Sequence, residues 1–248
     1  MLYVKNLYKS YSQKGQESWK CQALNGIDFH VAQGEFVAVM GPSGSGKTTL
    51  LNCISCYIPF DKGSILLDGA SLTDLKEDAL AQIRNIKIGF VFQDFMLLDG
   101  LTIRENILVP RIVQGKALEE AGQLANQLAE MFGIGHIMDK YPAQISGGEK
   151  QRAAVARSMI NRPLIILADE PTGNLDSKSG CKVIGAFVKA REQMGETIFM
   201  VTHDSFAASF CDRVILLKDG SIYRQMEKKA SRSQFQNELL AAIKQMSI

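Results

Sequence analysis

The sequence predicts an α/β fold in which helices cover both faces of a mostly parallel sheet, with a strand-rich N-terminal portion open to antiparallel pairing and a helical insertion midway. Three observations predict it. Short β-branched and aromatic runs alternate with helical patterns along most of the chain. A glycine-rich loop lies directly between one strand pattern and a helix start. From about residue 94 to 145 the strand patterns cease and helical ones take over. With 248 residues, 46% apolar and 22% charged, the chain can bury one substantial core and lacks the composition of a disordered protein.

The strand patterns are Ile27–Val31, Phe36–Met40, Ile65–Leu67, Ile88–Phe92, Leu164–Leu167, Ile198–Thr202 and Val214–Leu217. Helical patterns begin near Lys47 and cover Thr102–Val109, Lys116–Phe132 and Glu149–Ile160. The insertion is bounded by the turn Phe92-Gln93-Asp94 and by Tyr141-Pro142, where the proline disfavours helix at the residue before it. These marks predict a main domain over residues 1–228, a helical subdomain over about 94–150 and a tail over 229–248. In the tail, Phe235, Leu239, Leu240, Ile243 and Met246 fall at helical spacing behind a capping-box pattern, Ser233 with Gln236. Such a helix packs on its own domain or docks on a partner or membrane, since each buries the same stripe.

A net charge of +2 gives no bulk attraction to nucleic acid or to an anionic membrane. No apolar run approaches the roughly 18 residues that cross a bilayer. Met1–Tyr11 lacks the apolar stretch and cleavage site of a signal peptide. The expectation is a cytoplasmic chain, with any membrane spans supplied by another. Cys21, Cys53, Cys56, Cys181 and Cys211 are odd in number and without metal-ligand spacing, which fits a reducing compartment. The Cys53-x-x-Cys56 pair, placed in the apolar helix after the glycine-rich loop, reads as packed thiols ahead of a redox pair.

Gly41-Pro-Ser43-Gly44-Ser45-Gly46-Lys47-Thr48 follows the strand Phe36–Met40 and matches G-x-x-x-x-G-K-[ST]. Its glycines let backbone N–H groups curl inward onto phosphate oxygens, and the following helix N-terminus adds partial positive charge. Lys47 is expected to bridge β- and γ-phosphates and the Thr48 hydroxyl to ligate Mg²⁺. Asp169 and Glu170 end the apolar run Leu164–Ala168. Consecutive strand residues point oppositely, so the two acids need not share a role: Asp169 is placed to hold Mg²⁺ through its water shell and Glu170 to polarise the attacking water. His203, at the end of Ile198–Thr202, is a donor to a γ-phosphate that holds that water in line.

A second anion-binding helix N-terminus is written in Ile145-Ser146-Gly147-Gly148-Glu149-Lys150-Gln151-Arg152, where a hydroxyl and two glycines precede the pattern Glu149–Ile160. One chain cannot readily bring both termini onto one nucleotide, whereas a head-to-tail pair can.

These motifs, in this order and over essentially the whole chain, resemble the nucleotide-binding subunits of ABC transporters: Walker A (Gly41–Thr48), a Q-loop glutamine (Gln93), the signature (Ser146–Glu149), Walker B (Asp169), a catalytic glutamate (Glu170), a D-loop (Asn174-Leu175-Asp176) and a switch histidine (His203). The resemblance implies a P-loop NTPase with a RecA-like parallel core, an antiparallel β subdomain and an inserted α-helical subdomain. It implies ATP and Mg²⁺ as cofactors. Thr49 joins the phosphate loop, Gln93 joins Thr48 and Asp169 at the metal as well as Glu170 and His203 in hydrolysis, and Asp176 lies at the nucleotide. Ser146, Gly147 and Gly148 would complete the site of a second copy of the chain. Tyr11 resembles the aromatic that stacks on adenine, with Tyr8 as a rival. Glu149 stands where the commonest family form has Gln, and Ile145 where it has Leu; the Ser-Gly-Gly amides are untouched.

Asp169-Glu-Pro-Thr-Gly-Asn-Leu-Asp176 is similar to the subgroup of macrolide exporters, lipoprotein-releasing complexes and cell-division regulators. Phe92-Gln-Asp-Phe-Met-Leu-Leu-Asp99, Leu101-Thr-Ile-Arg-Glu-Asn-Ile-Leu108 and Val201-Thr-His-Asp-Ser-Phe-Ala-Ala-Ser-Phe-Cys211 resemble the bacitracin-efflux type of peptide-antibiotic resistance exporter. That likeness implies a membrane permease, often a sensor histidine kinase, no nucleic acid, and a place on the cytoplasmic side of the membrane. A soluble ABC protein acting on DNA or ribosomes is the competing class, opposed by the uninterrupted single domain.

Overall fold

The computed structural model describes residues 1–13, 16–73, 75–115 and 117–246. In chain order the elements are β1 (Leu2–Gln13), β2 (Gln16–Val31), β3 (Phe36–Met40), α1 (Lys47–Ile54), β4 (Lys62–Leu67), β5 (Ala70–Ser71), α2 (Glu77–Ile86) and β6 (Ile88–Val91). There follow α3 (Ile103–Val113), α4 (Glu119–Met131), α5 (Gly147–Met159), β7 (Ile165–Asp169), α6 (Ser177–Met194), β8 (Ile198–Val201), α7 (Ser205–Ala208), β9 (Arg213–Lys218), β10 (Ser221–Glu227) and α8 (Arg232–Met246). They fall into two units, one of residues 1–80 and 199–248, the other of residues 81–198.

In the first unit an antiparallel sheet runs β2-β1-β4-β5, with Leu2 opposite both Val31 and Leu67. A second run, β10-β9-β3-β8, has β3 parallel to β9, pairing Val37 with Arg213 and Met40 with Leu216. All five residues of β3 are buried. A strand covered on both faces is apolar at every position rather than at alternate ones, so Phe-Val-Ala-Val-Met is the pattern a central parallel strand requires. Asp212 sits at the base of this run, its Oδ2 accepting from Phe36 N at 2.9 Å.

Three strands of this unit escape the sequence reading: β1, the two-residue β5 and β10. In β1, Leu2 and Val4 alternate inward, but Asn6 at φ 48° inserts a bulge that moves the next buried residue to Leu7 and breaks the period of two. β10 is an edge strand whose polar, largely exposed residues carry no apolar alternation.

The tail forms α8, which buries Phe235, Leu239, Ala242 and Met246 and packs on α7. Its start lies one residue before the Ser233 capping pattern: Ser231 accepts from Gln234 N through its hydroxyl, and Arg232 lays its guanidinium 4.9 and 4.7 Å from the ring centres of Phe206 and Phe210. Phe235 N donates to the Ser231 carbonyl at 2.9 Å.

In the second unit β6 and β7 pair in parallel from Ile88 opposite Ile165 to Val91 opposite Ala168. Helix α5 lies centrally, touching β6, α3, α4 and α6. Gly89 allows this approach, since a Cβ there would stand 2.3 Å from the Ser158 carbonyl oxygen. Helix α3 runs to Val113 through Pro110, four residues beyond its expected end, and is started by a full capping box between Thr102 and Glu105. Helix α4 begins at Glu119; Lys116, where the helical pattern starts, lies outside the described residues. Helices α2, which has no buried residue, and α6 are additional to the helices expected from the sequence.

Candidate functional site

The phosphate loop is built in the first unit where β3 ends and α1 begins. Gly44 and Gly46 stand at φ 78° and 98°, a region costly to residues with a Cβ. Gly46 serves as the helix N-cap without any side-chain bond, so the first N–H groups of α1 face the loop interior. The glycines also answer close approaches: a Cβ on Gly41 would lie 2.3 Å from the Leu217 carbonyl oxygen, and one on Gly46 would lie 2.4 Å from that of Ala23. Lys47 is 8% exposed, and its Nζ donates to the carbonyls of Gly41 at 2.8 Å and Pro42 at 2.9 Å, which hold the ammonium beneath the loop. The buried Ser45 Oγ has no hydrogen-bond partner among the described residues. Backbone donors, a centred ammonium and an orphaned hydroxyl suit a polyphosphate. Ser43 is exposed on the loop, and in the first turn of α1 Thr48 is exposed and Thr49 half-buried.

His203 belongs to the same edge of the sheet. It follows β8, and Thr202 N donates to Val39 O at 3.1 Å, so the histidine and the loop both leave the carboxyl ends of neighbouring strands, the usual crevice of such sheets. Asp204 N donates to Thr202 Oγ1 at 3.0 Å, and Asp204 Oδ1 accepts from Phe206 N at 2.8 Å, so the turn carrying His203 is pinned on both sides. Tyr11, on β1, is 43% exposed with the Lys9 ammonium 5.5 Å from its ring centre, while Tyr8 is half-buried under Lys62 and closes on Gly26. Tyr11 therefore offers the more open ring face.

In the second unit Asp169 is the last residue of β7, and Glu170 follows at φ 43°. A left-handed backbone at a non-glycine acid is strained, and such strain concentrates at reactive sites. Gly173 N donates to the Glu170 carbonyl at 2.9 Å, closing the turn. Gln93 leaves β6 beside this strand, Val91 being paired with Ala168. Its Nε2 donates to Asn174 Oδ1 at 3.1 Å, and Asn174 Nδ2 donates to Asp94 Oδ1 at 2.8 Å. Phe95 and Met96 both adopt positive φ, at 61° and 50°, and Arg157 holds their carbonyls, donating to Phe95 O at 2.8 Å and also to Met96 O. Gln151, fully buried, adds a bond to Phe92 O at 3.0 Å. Asp94, Gln151 and Arg157 were not identified from sequence; the available signal was two polar residues on the inner face of an apolar-patterned helix.

The signature helix α5 begins at Gly147, two residues earlier than its apolar pattern, because Ser146 is its N-cap. Glu149 Oε2 accepts from Ser146 N at 2.9 Å and from Ser146 Oγ at 2.6 Å, and Oε1 lies 3.0 Å from His136 Nε2. The Ser146 hydroxyl and amide bonds, with His136 helping, hold the Glu149 carboxyl down at about 2. Gly148 has no room for a side chain, a Cβ there meeting Ser179 Cβ at 2.9 Å. Asp176 caps α6 by accepting from Ser179 N at 3.0 Å, and hydrogen bonds from the Ser179 hydroxyl and amide lower its pKa.

Cys53 is buried and desolvation pushes its thiol up to about 12, while Cys56 lies just beyond the end of α1 at φ 60°. Cys53 is packed as expected, whereas Cys56 is half-buried and lies outside the helix in which the sequence placed it. Among the described residues no helix is long and apolar enough to cross a membrane.

The ABC transporter family profile matches residues 24–173. The bacitracin export ATP-binding protein BceA of Halalkalibacterium halodurans is 50% identical over 228 residues, 92% of this chain and 89% of that protein. The lipoprotein-releasing system ATP-binding protein LolD of Bacteroides fragilis is 40% identical, over 90% of this chain and all of that one. Among solved structures, the dimeric post-hydrolysis state of the ATP-binding cassette MJ0796 bound to ADP and Pi matches with a TM-score of 0.82 and 40% identity, covering 93% of this chain and 100% of that chain. With a phosphate loop, a strained acid after a buried strand and a capped signature helix, the chain belongs to the ABC transporter family as an ATP-binding, ATP-hydrolysing subunit.

Proposed function

We propose that this chain is the ATP-driven motor of an exporter that protects a cell against antimicrobial peptides, acting on a separate membrane permease from the cytoplasmic side. The observation that carries this reading is 50% identity to a bacitracin export ATP-binding protein across nearly the full length of both chains. Two copies close on ATP and reopen after hydrolysis, a reading supported by the dimeric form of the MJ0796 cassette. Lys47 and the loop amides bind the phosphates; Thr48, Asp169 and Gln93 hold Mg²⁺; Glu170 polarises the attacking water and His203 orients it. Ser146, Gly147, Gly148 and Asp176 serve the nucleotide across the dimer, and Tyr11 stacks on adenine. The helical segment 94–150 conveys the closure to the permease, with residues 1–228 as the motor domain and 229–248 as its tail.

The test is to tag the chain in its native host, solubilise the membranes gently and identify what co-purifies by mass spectrometry. A single long permease with a large extracytoplasmic domain, with or without a sensor histidine kinase, supports the peptide-resistance reading. Co-purification with a lipoprotein-releasing permease would shift the chain to the role of its 40%-identical LolD relative. Recovery with ribosomes or DNA in the soluble fraction would overturn the transporter role.

A further inference from the structure

A cavity of about 360 Å³ opens in the second unit between the end of α4 and the facing sides of α5 and α6. Its charges are unbalanced. Arg152 from α5 and Lys182 and Lys189 from α6 line it, against one carboxylate on the wall, Glu130. Lys182 and Lys189, with Gly185 between them, recur at three- and four-residue spacing and so share one face of the helix.

Arg152 is the decisive group. It is only 8% exposed as a whole residue, and its guanidinium, which has no ion pair within 4 Å among the described residues, opens to solvent through the cavity. The charge that acts on it is Glu149, one turn earlier, whose carboxylate is already taken by Ser146 and His136. Desolvation lowers the Arg152 pKa, and Glu149 offsets that in part. An arginine so enclosed ordinarily meets an acceptor, because a partly desolvated charge gains from a partner. Gly185 lines the cavity between the two lysines. It sits in the interior of an 18-residue helix, where glycine is a poor helix former, and a Cβ there would meet nothing within 4 Å. Its missing side chain leaves the cavity wall between the two lysines open.

We infer that this cavity binds a small polyanion carrying two or more oxyanion groups, phosphates or carboxylates, at a site separate from the phosphate loop. Arg152 presents a planar fork to one group, Lys182 and Lys189 reach the others, and Lys189 is already drawn inward by its bond to Met131 O at 2.9 Å. The volume is that of a small ligand pocket, about 300 Å³ or more, and exceeds what a single phosphate fills.

The test uses the full chain carrying Lys47→Ala, which disables the phosphate loop as a competing site. Inorganic triphosphate and citrate are titrated separately by calorimetry. One site per chain for either probe, weakening as salt rises and losing at least about tenfold in affinity on adding Lys182→Glu or Gly185→Glu, supports the site. Triphosphate alone binding assigns it to phosphate chains, citrate alone to carboxylates. Lys182 is exposed, so its substitution leaves the fold in place where Arg152→Gln would not. Absence of binding by both probes, or binding that neither added substitution changes, overturns the inference.

Discussion

The amide of Gln93 is oriented by Asn174: Gln93 Nε2 donates to Asn174 Oδ1 at 3.1 Å, while Asn174 Nδ2 donates to Asp94 Oδ1 at 2.8 Å. An ionised carboxylate only accepts, so Asp94 fixes which end of Asn174 faces it. Asn174 then fixes which end of Gln93 is the donor. The Gln93 carbonyl oxygen is thereby directed away from Asn174, available as a ligand or acceptor. Asn174→Leu removes both bonds and frees that amide to turn. The expected outcome is a fall in kcat of about ten- to a hundredfold with the KM for ATP nearly unchanged, together with a raised Mg²⁺ requirement, read by steady-state kinetics at varied Mg²⁺. An unchanged Mg²⁺ dependence would show that the amide's orientation is immaterial.

Glu170→Gln keeps the shape of the side chain and removes its basicity. Hydrolysis is expected to drop by about 10²–10⁴-fold while ATP binding persists, so that ATP converts the chain to a stable dimer on size exclusion. Hydrolysis at the wild-type rate would mean that another group is the base.

The Glu149 carboxyl sits at about 2 in the folded chain against an ordinary value of 4.5. A lowered acid stabilises the fold fully above its unfolded pKa and loses that contribution as pH falls through 4.5 toward 2. Thermal melts of Glu149→Ala should therefore fall furthest below wild type near pH 7, with the gap closing below about pH 3. A gap independent of pH would show that the capping box acts through shape rather than charge.

Glu196 shows the opposite sign. It is 9% exposed at the start of the segment leading into β8, and burial raises its carboxyl to about 7 from 4.5. Ionising it costs stability progressively as pH rises from 4.5 to about 7, and the full penalty stands above that. Glu196→Gln should raise the melting temperature at pH 8 and leave it nearly unchanged at pH 4.

Phe235 is fully buried, the first anchor of α8 against its own unit. Phe235→Ala should destabilise the isolated chain by about 3–5 kcal/mol in denaturant unfolding. A loss under about 1 kcal/mol would mean that α8 is not held there in solution.

The phosphate loop, the acids after Ala168, the signature and the central strands were legible in the sequence because each rests on a local rule. A loop that must curl around phosphates needs glycines at fixed steps, and a strand buried on both faces must be apolar throughout. Helix ends were less legible: α5 starts at Gly147 because Ser146 and Glu149 cap it, and α3 passes through Pro110 where local preference would stop it. Tertiary structure alone decided the rest. No spacing in the chain says that Arg157 grips the carbonyls of Phe95 and Met96, 62 and 61 residues away, or that Asn174 sets the Gln93 amide from 81 residues away. None says that Arg152 is buried beside two lysines of another helix. Such facts depend on which faces of separate elements meet, and that is fixed by packing, a property of the whole core and of no segment within it.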